Sequence, residues 1–172
     1  MDKKSSISRS QLSKPVMFVD LAASTKESAD FTAIAVVATD DDANVYILDV
    51  IRGRWEWPIA RRIIAQAAIS HQPRVVGVEK VGFQLAAIQD LMRQPDLMGV
   101  AIKGIPVDRD KLSRALPWLA RAEQGKMKLI RGSWNAAFLD EVCAFPETEH
   151  DDQVDAVSGA VQMLGQAPAF YY

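Results

Sequence analysis

Three observations predict that this chain folds as a single α/β domain. The chain has 172 residues, of which 49% are hydrophobic, and this is enough apolar material for one core of ordinary size. Short apolar runs of strand length alternate with longer segments whose apolar residues recur at helical spacing. No internal repeat, low-complexity block or change of composition interrupts residues 15–165, so we expect one continuous domain there.

The first three elements are predicted to be neighbouring strands. Residues 16–22, 32–38 and 44–53 are apolar runs, and the third is rich in β-branched and aromatic side chains. An acidic turn joins the second run to the third, which is typical of a meander. A helix over 57–70 follows, because Pro58 stands where a first helical residue is favoured and apolar residues then recur at helical spacing.

Strands and helices then alternate to the end of the domain. The remaining predicted strands cover 74–80, 99–107 and 126–130, and the remaining predicted helices cover 83–94, 110–125, 135–145 and 151–164. Residues 1–14 are rich in Ser, Lys and Arg with few apolar side chains, which predicts a flexible leader. Residues 166–172 form a tail beyond the last helix.

Composition excludes several classes of protein. Twenty basic and 22 acidic residues give a net charge of −2, so a surface that binds nucleic acid would have to be a local patch. The single cysteine, Cys143, excludes an internal disulfide, and its apolar neighbours predict a buried, inert thiol. No apolar run approaches the roughly 18 residues of a membrane span, and the N-terminus lacks the apolar core of a signal peptide. We therefore expect a soluble, intracellular protein with no membrane partner.

Acidic residues stand where the predicted strands and helices end or begin. Asp20 interrupts the first apolar run, Glu79 closes a later one, and Asp151, Asp152 and Asp155 open the last helix. Singly, each has an ordinary explanation, since an acid at a strand end is common in turns and Asp at a helix start is usually an N-cap. A cap accounts for one aspartate, but it does not account for Asp155, which lies nearly a turn inside the helix.

The last helix carries two of these acids on one face. Helical spacing aligns Asp152 and Asp155 with the small residues Ala156 and Gly159, so the helix can lie close to a sheet and present both carboxylates at the sheet edge. Clustered carboxylates repel one another and require a compensating positive charge. Divalent cations supply more of it than a helix N-terminus, and Mg²⁺ or Mn²⁺ prefers oxygen ligands. We therefore predict that the surplus aspartates are metal ligands, and two ions about 4 Å apart suit hydrolysis of a phosphodiester.

Three short segments resemble the C-terminal nuclease domain of tailed-phage terminase large subunits, within the ribonuclease H-like superfamily. They are "FVDLA", "GVEKVGFQ" and "HDDQVDA", and the similarity extends through residues 108–146 to cover roughly 15–165. The resemblance implies a mixed five-stranded sheet, with its first three strands antiparallel, flanked by helices. It also implies a metal-dependent endonuclease that cuts concatemeric viral DNA during genome packaging, in the cytoplasm of the bacterial host.

The resemblance also assigns roles to the acids. By position, Asp20 would bind both of two Mg²⁺ or Mn²⁺ ions, Glu79 would bind one, and Asp152 would complete the site. Asp155 is the predicted fourth ligand, since related resolvases place a second acid three residues on. These four are the predicted catalytic and metal-binding residues. Asp151 is expected to be the N-cap of the last helix, with a role as a reserve ligand left open.

Basic residues near these acids are predicted to contact DNA phosphates. Lys103, Arg109, Lys111 and Arg114 cluster around a strand end and the next helix start, and Lys80 follows Glu79 directly. A solvated charged face explains the cluster equally well. His150 precedes the aspartates, and either contact with metal or water or a plain loop position fits it.

The partners expected from the resemblance go beyond double-stranded DNA. Full-length terminases carry an ATPase motor, and this chain has no G-x-x-x-x-G-K-[ST] phosphate loop, so we expect the motor on a separate or excised domain. The small terminase and the portal are the other expected partners. Two alternatives stay open: a resolvase or transposase-like nuclease of the same superfamily, and a catalytically silent module that docks DNA or the portal.

Overall fold

A mixed β-sheet with helices packed against both faces forms the framework of the protein. The computed structural model describes residues 7–23, 30–80, 82 and 84–165. The strands of this part are β1 (Val16–Asp20), β2 (Thr32–Thr39), β3 (Val45–Gly53), β4 (Val75–Glu79), β5 (Ala101–Ile105) and β6 (Met127–Leu129). Its α-helices are α1 (Trp57–His71), α2 (Gln84–Met92), α3 (Lys111–Glu123), α4 (Asn135–Ala144) and α5 (Asp152–Leu164).

The strand order confirms the predicted α/β class and corrects the strand count. The sheet has the order β5-β4-β1-β2-β3-β6, in which β1, β2 and β3 are antiparallel neighbours, as predicted. The resemblance implied five strands, but the short strand predicted over 126–130 also joins the sheet: as β6 it pairs in parallel with Val45–Ile47 of β3 and makes a sixth. Met127 and Leu129 pack against the core, which explains why this short segment joins the sheet edge.

Two apolar layers cover the two faces of the sheet. On one face, alternate residues of β1 and β2 pack with buried residues of α1 and α2. On the other face, the intervening residues pack with α3, α4 and α5. This alternation follows from the pleat of a strand, in which successive side chains point to opposite faces.

Helix α5 lies unusually close to the sheet. A Cβ atom added at Gly159 would approach the ring of Phe18 in β1 to 2.5 Å, so only glycine permits this separation. Every residue of α5 from Asp152 to Ala160 is buried. The prediction that a small-residue face would let this helix pack closely is confirmed, and the packing fixes where its first turn lies.

The predictions for the cysteine, the N-terminal leader and membrane spans have different outcomes. Cys143 is exposed, so the expected buried thiol is wrong; α4 directs Phe138 and Glu141 inward and leaves Cys143 on the other side. Within the predicted leader, Arg9–Gln11 forms a short 3-10 helix, and the Ser13 N–H donates to the Thr39 carbonyl at 2.8 Å. Residues 1–6 and the tail 166–172 lie outside the described residues, so the flexibility of the leader stays a prediction. Among the described helices, none combines the length and apolar character needed to cross a membrane.

Candidate metal centre

The predicted acids converge at one edge of the sheet. Asp20 is the last residue of β1 and Glu79 the last residue of β4, and because these neighbouring strands are parallel, both side chains lie at the same edge. The first turn of α5 brings Asp152 and Asp155 to this edge as well. All four residues line a single cleft of about 400 Å³. Acids up to 135 positions apart in sequence, from 20 to 155, therefore share one site.

Burial and the repulsion of neighbouring acids raise the pKa of three residues of the cleft, Asp20, Asp152 and Asp155. Burial raises the pKa of Asp20 well above its ordinary value, and the charges of Asp155, Asp152 and Glu79 raise it further. Burial likewise raises the pKa of Asp152 to about 6, against the opposing hydrogen bond from the Phe31 N–H. The pKa of Asp155 is also raised by burial. A cation bound in the cleft would relieve this repulsion and stabilise the carboxylates.

Two cationic side chains of α3 already face the α5 acids. The Lys111 ammonium lies 2.5 Å from Asp151 Oδ1 and 3.1 Å from Asp155 Oδ2. Burial alone would lower the pKa of Lys111, but the hydrogen bond to Asp151 and the charge of Asp155 raise it above its ordinary value. Arg114 Nη1 lies 3.8 Å from Asp155 Oδ1, which is too long for a hydrogen bond.

The basic residues predicted to contact DNA occupy different places. Arg109, Lys111 and Arg114 line the cleft with the acids. Lys80 is exposed just beyond β4, and its N–H donates to the Ile105 carbonyl at 2.9 Å. Lys103 lies half-buried within β5, and neither Lys80 nor Lys103 is among the described residues that line the cleft. The structure therefore brings part of this predicted set to the acids.

Asp151 is the N-cap residue of α5, as expected, but its side chain does not cap the helix. Asp151 holds the N-cap position of α5, but its side chain makes no capping hydrogen bond and accepts from Lys111 instead. Its backbone, at φ −128 and ψ 19, departs from the extended conformation usual for a capping side chain. Glu141 of α4 takes the role, since its Oε1 accepts from the Val154 N–H at 2.9 Å.

A second group of possible ligands adjoins the predicted one and shares Asp152 with it. One side-chain ligand atom from each of Asp30, His150 and Asp152 lies within 4.8 Å of the other two. Among the described residues this is the only group of three or more His, Cys, Asp or Glu side chains so closely placed, so the four predicted ligands are spread more widely. His150 Nδ1 and Asp155 Oδ1 are buried atoms without a hydrogen-bond partner. Carboxylate and imidazole donors of this kind fit a divalent metal ion.

Sequence reasoning missed Asp30 and Glu141, and only the first left a usable signal. Because β1 and β2 are antiparallel, with Asp20 opposite Ala33, residues just before β2 lie at the edge where β1 ends. Asp30 stands there and lines the same cleft as Asp20. Glu141 left no comparable signal, because nothing local in α4 shows that it reaches a neighbouring helix.

The topology and the acidic edge together define a class, the ribonuclease H-like domain. The more particular assignment comes from sequence: residues 17–164 match the family described as the terminase ribonuclease H-like domain, and the chain belongs to this family. The resemblance identified from the three motif segments is thereby confirmed. No significant match was found among curated protein sequences.

Solved structures share the fold at low sequence identity. The large terminase nuclease of thermophilic phage G20c with bound zinc superposes with a TM-score of 0.65, at 18% identity over 90% of this chain and 82% of that chain. Its magnesium-bound form gives a TM-score of 0.62, at 17% identity over 87% of this chain and 80% of that chain. RuvC of T. thermophilus in complex with a Holliday junction gives a TM-score of 0.52, at 13% identity over 89% of this chain and 97% of that chain. At these identities the likeness concerns the fold.

Proposed function

We propose that this chain is a metal-dependent DNA endonuclease, the nuclease domain of a terminase large subunit that cuts concatemeric viral DNA during genome packaging. The observation that carries the proposal is the convergence of Asp20, Glu79, Asp152 and Asp155 on one cleft. Buried acids with raised pKa values cluster at functional sites, since a fold gains nothing from repulsion of this kind. Membership of the terminase family supports the choice of DNA as substrate.

The acids of the cleft are the proposed ligands of two divalent ions, Mg²⁺ or Mn²⁺. Asp20 is the proposed shared ligand, because the charges of Asp155, Asp152 and Glu79 all act on it. His150 and Asp30 extend the ligand set beside Asp152, and an imidazole donor favours Mn²⁺ over Mg²⁺. When bound, such ions activate water and stabilise the leaving oxygen of a phosphodiester.

Cationic side chains beside the acids are the proposed contacts to DNA phosphates. Lys111 and Arg114 lie within the cleft, whereas Lys80 and Lys103 would extend the contact along β4 and β5. Contacts of this type set the position of the duplex and read no sequence, so we expect cleavage with little sequence preference. The further proposed partners are an ATPase motor on a separate or excised domain, the small terminase and the portal, in the cytoplasm of the bacterial host.

The direct test is cleavage of plasmid DNA by the purified chain. We expect cleavage with Mn²⁺ or Mg²⁺, none in EDTA, and a loss of about a hundredfold or more in Asp20→Asn and Asp152→Asn, because each removes a charged ligand. Asp96→Asn, an exposed acid outside the cleft, is the matched control and should cleave like the parent. Parent-like rates in folded Asp20→Asn or Asp152→Asn would refute the assignment, and DNA binding without any cleavage would favour a silent docking module.

A resolvase activity is the second candidate, since the fold is shared with a RuvC structure that contains a Holliday junction. Cleavage rates on a linear duplex and on a four-way junction of matched sequence distinguish a packaging nuclease from a resolvase. Equal or faster cleavage of the linear duplex supports the packaging nuclease, and strong preference for the junction supports the resolvase.

A further inference from the structure

Glu141 is a buried acid outside the cleft whose two oxygens are both engaged. The residue is 5% exposed and does not line the metal cleft. Its Oε1 accepts from the Val154 N–H at 2.9 Å, and its Oε2 accepts from Gln153 Nε2 at 2.6 Å. Arg52 Nη1 lies 3.3 Å from the same Oε2. A buried carboxylate is costly unless it is paired in this way, so the arrangement calls for a reason beyond packing.

The first contact holds the start of α5. Val154 is the third residue of α5, and its N–H is one of the four that lack a partner inside the helix. The Glu141 carboxylate satisfies this N–H from a neighbouring helix and complements the positive end of the helix dipole. The same carboxylate accepts from the Gln153 side chain, so Glu141 contacts both residues between Asp152 and Asp155, Val154 through its backbone and Gln153 through its side chain.

The Arg52 contact provides a second route from Glu141 to Asp152. The Arg52 guanidinium lies over the Phe31 ring, 4.6 Å from its centroid, and the Phe31 N–H donates to Asp152 Oδ2 at 3.1 Å. Glu141 is thus linked to Asp152 both through the α5 backbone and through Arg52 and Phe31. A closed set of contacts with two routes restricts both the position of the helix turn and the rotation of the carboxylate.

We propose that Glu141 is a positioning residue for the metal centre. This proposal rests on the proposed function. Glu141 holds the first turn of α5 so that Asp152 and Asp155 stay directed into the cleft, and it touches neither the metal nor the DNA. Residues that orient metal ligands in this way are typically worth about 10- to 100-fold in metal affinity or activity. Loss of Glu141 should therefore weaken metal binding while the cationic side chains that face DNA keep their places.

Three variants and one control test this role. Glu141→Leu removes all of the contacts. Glu141→Gln keeps an acceptor for the Val154 N–H but turns one acceptor into a donor. Gln153→Leu keeps the Glu141 charge and removes the 2.6 Å hydrogen bond. Asp140→Asn, an exposed acid next to Glu141 on α4, is the matched control for charge.

The readouts are Mn²⁺ binding to the folded protein by electron paramagnetic resonance without DNA, and kcat and KM for DNA at saturating Mn²⁺. We expect the Mn²⁺ dissociation constant to rise about tenfold or more in Glu141→Leu and about threefold to tenfold in Glu141→Gln and Gln153→Leu. At saturating Mn²⁺ the KM for DNA should stay within about twofold of the parent, because the cationic side chains that face DNA keep their places. Asp140→Asn should match the parent in both readouts.

Each outcome decides one point. A parent protein that neither binds Mn²⁺ nor cleaves DNA removes the proposed function itself. A parent that does both, with parent-like Mn²⁺ binding in the Glu141 variants, overturns the positioning role alone. Weakened binding in the Glu141 variants with parent-like binding in Gln153→Leu assigns the effect to charge and also overturns it. Should Glu141→Leu fail to fold, the other two variants carry the test, because Glu141→Gln keeps the shape of the side chain and Gln153→Leu leaves Glu141 itself in place.

Discussion

At the scale of residues, the cleft holds carboxyl groups whose charged forms are disfavoured. Asp152 shows this most clearly, because its pKa is raised by burial to about 6 even though the Phe31 N–H stabilises its charged form. Lys111 offsets the charge of Asp155 by a direct contact at 3.1 Å, whereas Arg114 approaches the same residue less closely. The site is therefore poised to gain stability from a bound cation, which is the property that separates a metal centre from a solvated acidic surface.

The raised pKa of Asp152 predicts how stability depends on pH without metal. Between the ordinary value of 3.8 and about 6, the folded protein holds a proton that the unfolded chain has released, so stability falls as pH rises through this window. In EDTA, the free energy of unfolding of Asp152→Asn relative to that of the parent should increase by on the order of 2 to 3 kcal/mol between about pH 4 and about pH 7. Urea denaturation at a series of pH values measures this gain. A difference between the two proteins that is the same at every pH would contradict the assignment.

At the scale of elements, close packing of α5 on the sheet places the acids. Gly159 allows this separation, and Asp155 and Asp152 lie on the same helix about one and two turns before it, respectively. The close approach and the Glu141 contact act at different points of the helix, one against the sheet and one at its N-terminus. The position of the proposed metal ligands thus depends on the whole of α5 and not on its acidic turn alone.

Substitution of Gly159 tests the role of this packing. In Gly159→Ala the new Cβ would lie 2.5 Å from the Phe18 ring, which is almost fully buried and has little room to move. We expect a net loss of about 1 to 3 kcal/mol from overpacking, together with slower cleavage, even though alanine favours a helix. Chemical denaturation and the plasmid assay measure the two effects.

Gly165→Ala, at the C-cap of the same helix, is the matched control. Within the part of the chain that the structure describes, a Cβ there would meet only the Gln162 carbonyl oxygen, at an ordinary contact distance of 3.7 Å. Its stability and activity should be close to those of the parent. Equal stability of both variants would show that the separation of α5 from the sheet does not constrain position 159.

At the scale of the whole molecule, the sequence predicted what depends on local pattern. The apolar runs predicted the order of strands and helices. The acids at the ends of these elements, predicted to share a site, line one cleft. Local pattern did not predict contacts between distant segments. Phe31 and Asp152, for example, lie 121 residues apart, and Arg52 and Glu141 lie 89 residues apart. The pairing of β6 with β3 and the capping of α5 by Glu141 are of this kind, because they depend on which surfaces meet after folding.

The central claim is that Asp20, Glu79, Asp152 and Asp155 hold divalent cations in common. The most direct measurement is a crystal structure of the chain soaked with Mn²⁺, with the ions located by their anomalous scattering. We expect Mn²⁺ in the cleft at roughly 2 to 2.5 Å from carboxylate oxygens of both Asp20 and Asp152. Mn²⁺ found only outside the cleft, or Asp20 and Asp152 too far apart to share any ion, would contradict the claim.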